Sequence, residues 1–339
     1  MLEDATVLIT GATGSVGTLL TDHLLATDVG TLRLFDADEA GLATARSRLD
    51  DDRCRFLASD VRDATRLRYA MADVDIVIHA AAMTHVDVVE YNPFEAVKTN
   101  VLGTQHVIET AIDAGVGRVL LTSSDKAVDP ANTMGTTKLL AEKLVTAANE
   151  YAGADAPRFA SVRFGNVLHS SRSVLPVFTA QLRAGGPLTV TDPAMTRFFL
   201  QPSELVDLVM AALARLRGGE VFIRRMPAIA IGDLAEALRL ELAPQLGVDP
   251  DAVAVEVVGP RPGETQHEQI MTAREADRAA ADGALLAILP EATDQRSPEP
   301  PAGFAPTDEI VRSSAAAEPL GLEAIRAAIA AEAPVVVDG

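Results

Sequence analysis

The sequence predicts an α/β fold, a doubly wound parallel sheet with a smaller lobe built mainly from the C-terminal half. Three observations predict it. Short apolar runs alternate with stretches of helical periodicity over the first half of the chain. The first of these runs passes through a glycine-rich turn directly into a helix. A length of 339 residues is enough for one large domain with an appended lobe. Parallel strands need a crossover, usually a helix, so the alternation itself implies a parallel sheet with ligands at the carboxyl ends of its strands.

Taken in order, Thr6 to Thr10 form the first strand, followed by GATGSVG and the apolar spacing of Val16, Leu19, Leu20, Leu24 and Leu25. Gly11 permits a tight turn, Gly14 lets the backbone approach a pyrophosphate, and Gly17 allows close packing. Thr13, Ser15 and Val16 lie where a helix N-terminus faces negative charge. The next strand, TLRLF, leads to Asp36 about 20 residues on, where an acid accepts bonds from an adenosine ribose. With Asp36 present and no Arg beside it, NAD is favoured over NADP. RFLASDV is a third strand ending at Asp60 and Val61, suited to the adenine edge. DIVIHAAA is a fourth, with Ala80, Ala81 and Ala82 where the backbone passes close to a dinucleotide; His79 is read as structural. A helix from Pro93 to about Ala114 carries Asn100, a further cofactor contact, and a fifth strand starts at Arg118. Residues 1–165 thus form a dinucleotide-binding domain of Rossmann type.

The segment TSSDKAVDPANTMGTTKLLAEK, from Thr122 to Lys143, gathers hydroxyls, an acid, amines and a helix start. The chain has four lysines, Lys98, Lys126, Lys138 and Lys143, and three of them lie here. Burial can lower an ammonium into the working pH range, whereas a guanidinium stays protonated. A chain that otherwise prefers Arg therefore points to Ser124, Asp125, Lys126 and Lys138 as its chemical centre, with Lys143 on the helix surface.

Residues 166–335 are less regular and form mainly a substrate-binding lobe, with a return to the main sheet. SVRFGNV is a sixth strand, and Arg197 and Arg261 are candidates to hold a phosphate-bearing ligand. Residues 293–308, rich in Pro and polar groups, look like a linker or lid edge. A short helix from about Leu322 to Ala331 precedes the tail. There is no internal repeat, and the six histidines show no metal-ligand spacing.

A net charge of −19 and a pI near 4.7 argue against nucleic acid or an anionic membrane as partner. An anionic ligand must be held locally, by backbone amides and a few arginines. Cys54 is the only cysteine, so no internal disulfide can form. The first residues lack the pattern of a signal peptide, and no apolar stretch reaches membrane-spanning length. The expectation is a soluble, cytoplasmic protein.

Together, TGATGSVG, HAAAMTHVDVVEYNPFEAVKTNVLGT, SSDKAVDPANTMGTTK, RFGNV, TDPAMTRFF and RPGETQHE resemble the extended short-chain dehydrogenase/reductases, and within them the UDP-N-acetylglucosamine 4,6-dehydratases of polysaccharide biosynthesis. The resemblance spans roughly residues 5 to 335. It implies NAD, a UDP-sugar substrate and a homo-oligomer, dimer or hexamer. It also implies oxidation at sugar C4, loss of water across C5 and C6, and return of the hydride to C6. Lys126 would be the C5 base, as a neutral amine, and Asp125 the acid at C6, as a protonated carboxyl. Lys138 would hold the nicotinamide ribose, and Ser124, with Ser123 next, would contact the sugar O4.

Three positions depart from the family pattern. Met134, as in some dehydratases of this group, stands where ordinary short-chain dehydrogenases carry a tyrosine, and a thioether cannot accept the C4 proton; that proton must leave through Ser124, Asp125, Lys126 or water. Thr84 precedes His85 where a Lys is usual, and LHSSRSV displaces an arginine, with Arg172 the candidate to compensate for it. These residues lie near the expected sugar and diphosphate, with Asn166, Arg261 and Glu264 completing the substrate set. A nucleotide-sugar 4-epimerase and a non-catalytic NAD-binding regulator are the alternatives.

Overall fold

The computed structural model describes residues 1–153, 157–168, 174–261, 263–292 and 298–332. The strands are β1 (Thr6–Thr10), β2 (Thr31–Asp36), β3 (Cys54–Ala58), β4 (Ile76–His79), β5 (Arg118–Thr122), β6 (Arg158–Arg163), β7 (Asn166–Val167), β8 (Leu188–Val190), β9 (Thr196–Leu200), β10 (Val221–Arg224), β11 (Ala228–Ala230), β12 (Val255–Val257), β13 (Ala279–Asp282), β14 (Leu285–Ile288) and β15 (Ala305–Pro306). The helices of the first half are α1 (Ser15–Leu25), α2 (Glu39–Leu49), α3 (Ala64–Met71), α4 (Val86–Tyr91), α5 (Pro93–Ala96), α6 (Gly103–Ala114) and α7 (Thr133–Tyr151). Those of the second are α8 (Val174–Arg183), α9 (Pro202–Arg215), α10 (Ile231–Gln245), α11 (Ala273–Ala276) and α12 (Leu322–Glu332).

Among the described residues the main sheet runs β15-β13-β14-β10-β6-β5-β4-β1-β2-β3, and its strands from β10 to β3 pair in parallel. Successive side chains of a strand face opposite ways, and here both faces are covered. Val7 and Ile9 of β1 join one apolar layer with Leu20, Leu24 and Leu120, while Leu8 joins the other with Val77, Val119 and Leu121. Covering both faces is why these strands are continuous apolar runs rather than alternating ones. The strand order reverses between β1 and β4, which opens a crevice at their carboxyl ends.

The second half returns to this sheet more than the once expected from its sequence: β10, β13, β14 and β15 all join it, the last three antiparallel. A hairpin needs no helix between its strands, so the helix-strand alternation that reveals a parallel sheet is missing here. The same pairing corrects part of the expected 293–308 linker, since Ala305–Pro306 forms β15; residues 293–297 lie outside the described set. The helix expected from Pro93 to Ala114 is present but continues through a π-helical turn, Val97–Leu102, that contains Asn100. The lobe consists of the sheet β11-β9-β7, the pair β12-β8, and α10 packed against α12 through Leu234, Leu238, Leu242, Ile325 and Ile329.

One buried charge cluster fastens the lobe's C-terminal segment to the sheet. Arg163, at the end of β6, is 1% exposed. Its Nη2 lies 2.6 Å from Glu142 Oε2 of α7 and 2.8 Å from Glu275 Oε1 of α11, and its Nη1 donates to the Ile270 carbonyl at 3.0 Å. Removing one member of such a cluster leaves uncompensated buried charge. Arg163→Met should lower the unfolding free energy by about 3–5 kcal/mol, measured by urea denaturation. Adding Glu142→Gln and Glu275→Gln should recover part of that loss, because the stranded charges are then gone.

Candidate active site

The crevice begins at the glycine turn. Gly11 has φ +71°, and a Cβ there would lie 2.6 Å from Ala81 N and 2.7 Å from the Ala80 carbonyl carbon, so only glycine lets these backbones pass this closely. Gly14 is the N-cap of α1, which turns the first N–H groups of that helix toward the crevice, with Ser15 and Val16 in its first turn and Gly17 packed on Gly11 and Ala12. Asp36 Oδ2 accepts bonds from Thr13 N at 2.9 Å and Thr13 Oγ1 at 2.7 Å, tying the end of β2 to the turn.

Gly11, Thr13, Gly14, Asp36, Asp60 and Val61, with Ala80 to Ala82, line a cleft of about 620 Å³. Arg62 lines it too, a basic residue the sequence reading did not place near Asp36. Its charge is already matched: Nη2 lies 2.6 Å from Asp60 Oδ2 and Nη1 2.8 Å from Glu95 Oε2. Close-passing backbone, a helix N-terminus and a strand-end carboxylate are a donor set that fits a dinucleotide.

Asn100 plays a different part from the cofactor contact expected of it. It is 2% exposed, and its amide accepts from Met83 N at 2.7 Å and donates to Met83 O at 2.9 Å and Thr137 Oγ1 at 2.9 Å. It therefore fixes the loop that follows Ala80–Ala82. His79, read as structural, is buried between Thr10 Oγ1 at 2.6 Å and Thr104 Oγ1 at 3.1 Å.

The residues after β5 emerge beside the end of β4. A 3-10 turn, Asp125–Ala127, follows Ser124, and α7 begins close behind it. A Cβ at Gly135 would collide with the Lys126 carbonyl oxygen, which is why Gly stands there. Asp125 has a fully buried side chain. Its Oδ1 accepts from Ser124 Oγ at 2.9 Å and from Lys126 Nζ at 3.1 Å, while Oδ2 is buried with no hydrogen-bond partner. Ser123 Oγ and Asn166 Oδ1 are also buried and unpartnered. Buried polar atoms are nearly always satisfied, so the orphan of Asp125, beside Lys126, calls for a partner such as water or a ligand.

The lobe supplies a group the sequence reading missed. Glu268 Oε1 lies 3.3 Å from Lys126 Nζ and 3.5 Å from Arg197 Nε. Burial works against a charged amine, but Asp125 and Glu268 outweigh it and hold Lys126 above the usual lysine range. Asp125 and Glu268 thus favour the ammonium form, and the neutral amine expected of a C5 base needs one of those two charges neutralised or withdrawn. Lys138 behaves as expected for a buried lysine: burial, only partly offset by Glu142, pushes it down to about 8, and Nζ donates to the Thr122 carbonyl at 2.9 Å. Met134 is no acid or base but part of an apolar cluster with Val89 and Ala96.

The other expected substrate contacts divide. Arg197 is 8% exposed and turns its guanidinium on the carbonyls of Thr196 at 2.8 Å and Gln266 at 3.3 Å, so it is not displayed to a phosphate. Glu264 folds back onto Arg261 N at 2.9 Å and caps its own loop. Arg261 itself is exposed, as are Thr84 and His85 at the start of α4. Arg172 lies outside the described residues. A signal for Glu268 was present in RPGETQHE, but only its first acid was singled out. No group of His, Cys, Asp and Glu suited to a metal ion occurs among the described residues.

A family model described as polysaccharide biosynthesis protein matches residues 7–289. A UDP-N-acetylglucosamine 4,6-dehydratase (inverting) of Campylobacter jejuni is 41% identical over 270 residues, covering 79% of this chain and 78% of that protein. A UDP-glucose 4-epimerase of Rickettsia bellii is 36% identical over 283 residues, covering 82% and 81%. Among solved structures, Pen from Bacillus thuringiensis superposes with a TM-score of 0.88 at 36% identity over 98% of both chains. A dTDP-glucose 4,6-dehydratase from Streptomyces venezuelae, with NAD and TYD bound, does so at 0.69 and 26% identity, over 77% of this chain and 86% of that one.

The buried His79 sets a pH dependence. Burial first, and the Lys138 charge second, push it from 6.5 to about 3. Below pH 6.5 the unfolded chain binds a proton that the folded chain refuses, so stability falls as pH drops toward 3. The slope from this residue is about 1.4 kcal/mol per pH unit. Denaturation midpoints at successive pH values should show it, and His79→Asn should remove that part of the slope.

Proposed function

The chain belongs to the polysaccharide biosynthesis protein family, among the dehydratases and epimerases of nucleotide sugars, and we propose that it is an NAD-dependent 4,6-dehydratase acting on UDP-N-acetylglucosamine. The observation that carries this reading is the buried Asp125–Lys126 pair at the carboxyl end of β5, with one carboxylate oxygen left unpartnered. An epimerase needs only oxidation and re-reduction at C4; water elimination needs an acid and a base side by side.

In this reading residues 1–165 hold the cofactor and residues 166–335 mainly the sugar nucleotide. NAD bound in the crevice supplies the hydride acceptor at C4 and the donor at C6. The solved dTDP-glucose 4,6-dehydratase with NAD bound supports that choice, as does Asp36 with Arg62 already neutralised. Lys138 sits at the mouth of β5, where the nicotinamide ribose belongs.

Proton traffic follows from the geometry. The C4 hydroxyl gives its proton to Ser124 Oγ, which passes its own to Asp125 Oδ1 across 2.9 Å. Lys126, once its ammonium proton has been released to solvent, takes the C5 proton, Asp125 protonates the C6 hydroxyl, the C6–O bond breaks and water leaves. Lys126 finally returns a proton to C5 as the hydride reaches C6. Elimination leaves Asp125 as a carboxylate and Lys126 as the ammonium that returns its proton to C5. Ser124 thus takes over the task that Met134 cannot perform.

The epimerase remains a second reading, favoured by the Rickettsia relative. A homo-oligomer is part of the proposal as well: Tyr91 is 88% and Phe94 81% exposed on α4 and α5, a large apolar surface for a lone chain. Among the described residues no helix is long and apolar enough to cross a membrane.

Incubation with UDP-N-acetylglucosamine in heavy water, followed by mass and NMR analysis, decides between the readings. A dehydratase yields a 6-deoxy-4-keto sugar, loss of one water, deuterium at C5 and no net NADH. An unchanged mass with C4 inverted and no deuterium at C5 would establish the epimerase. Lys126→Ala should abolish dehydration while NAD still binds, and Ser124→Ala should lower kcat by about 10²–10⁴-fold. Asp36→Ala should weaken NAD binding, read by fluorescence titration with NADH.

A further inference from the structure

The amine of Lys126 faces charge from two directions. Asp125 lies on its own turn; Glu268 and, behind it, Arg197 come from the lobe. A single oxygen, Glu268 Oε1, serves both cations, at 3.3 Å from Lys126 Nζ and 3.5 Å from Arg197 Nε. The backbone of Glu268 is held on both sides, N–H to Ser314 Oγ at 2.9 Å and carbonyl from Ser314 N at 2.9 Å. Ser314 in turn is buried against Thr196 Oγ1 at 2.7 Å. Arg197 is fixed by the Thr196 and Gln266 carbonyls and by Met195 Sδ at 3.4 Å. Between a rigid backbone and a rigid guanidinium, the movable part is the Glu268 carboxylate.

We propose that Glu268 is a positioning residue that decides whether Lys126 carries a proton, by shifting its carboxylate between Lys126 and Arg197. With Asp125 ionised and Glu268 on Lys126, the amine is flanked by two negative charges and stays an ammonium. Once Asp125 has received the C4 proton and Glu268 has swung to Arg197, the same amine faces a neutral acid and an arginine. It then releases its proton to solvent, to which its side chain is 23% exposed, and becomes a base. Oxidation at C4 thereby switches on proton removal at C5, and not before it. That consequence rests on the reading of Lys126 as the C5 base; the control of its charge does not.

The experiment uses the full chain labelled with ¹³Cε-lysine, whose shift reports protonation. With four lysines the spectrum has four signals, and Lys98→Arg and Lys143→Arg, both at exposed positions, leave those of Lys126 and Lys138. Glu268→Gln, close in shape but uncharged, should lower the Lys126 midpoint by about 1 pH unit or more. Glu268→Asp, which withdraws the charge by one methylene, should give an intermediate midpoint and guards against a misfolded glutamine variant. The acid limb of the pH profile for C5 deuterium uptake should move to lower pH by the same amount. A role confined to structure would depress uptake at every pH and leave the limb in place. An unchanged Lys126 midpoint in folded variants overturns the inference whatever the wild-type enzyme does with its sugar. A wild type that neither dehydrates nor exchanges C5, while its Lys126 midpoint still falls on Glu268→Gln, overturns the dehydratase reading and upholds the charge control.

Discussion

The clamp at Arg163 is the joint on which the site depends. A guanidinium at the end of a central strand, buried to 1% exposure, draws Glu142 from the helix behind the sheet and Glu275 from the far end of the lobe onto one point. Buried ion clusters contribute little net stability compared with apolar packing, but they are costly to break and directional. What this one fixes is register: with Glu275 and the Ile270 carbonyl pinned, the segment that carries Glu268 has one way to lie across the start of α7. Asn132 adds a second tie, capping α7 through Gly135 N at 2.8 Å while donating to the Gly263 carbonyl at 3.0 Å. The two halves of the chain meet here, and the cluster around Lys126 is the result.

That cluster has a simple electrostatic character. Asp125, Lys126, Glu268 and Arg197 contribute two negative and two positive groups, so a chain of net charge −19 builds a site core that is locally balanced. Balance has two effects. It avoids leaving an unpaired ion in a low-dielectric interior, and it lets one proton transfer change the sign felt by every neighbour. In the proposed function an anionic diphosphate is left to other groups, the N-terminus of α1 and the exposed Arg261.

How much of this could be read from the sequence depended on distance along the chain. Gly11, Gly14, Asp36 and the Ser124–Asp125–Lys126 run were legible because strand, turn and helix follow one another within a few residues, and each residue's task is set by that local geometry. The hold of Asn100 on the Met83 backbone was not legible, because that partner lies 17 residues away and Asn100 stands in a π-helical turn that periodicity does not reveal. Arg197 was assigned to phosphate on residue type alone; the carbonyls that occupy it come from Thr196 beside it and from Gln266, on a segment it meets only in the fold. Glu268 was the hardest case. Its partners are Lys126 and Arg197, and nothing near position 268 signals either. The strands β13 to β15 escaped for another reason: all are short, and β13 and β14 are joined by a hairpin, so neither long hydrophobic runs nor intervening helices announce them.

In the proposed reaction, Met134 reroutes proton transfer while serving the fold as an apolar side chain. Its side chain is 3% exposed and packs with Val89 and Ala96, so the position contributes cohesion between α7, α4 and α5. A thioether there offers no proton acceptor on that side of the sugar. In the proposed reaction the C4 proton therefore has to leave toward β5, and the first acceptor in that direction is Ser124, already 2.9 Å from Asp125. Asp125 then receives at the first step the proton it gives away at the second. Oxidation and elimination become linked through one carboxyl group, whereas a phenol would have kept them separate. In that route the proton arrives at and leaves from Oδ1, the oxygen that Ser124 and Lys126 already hold.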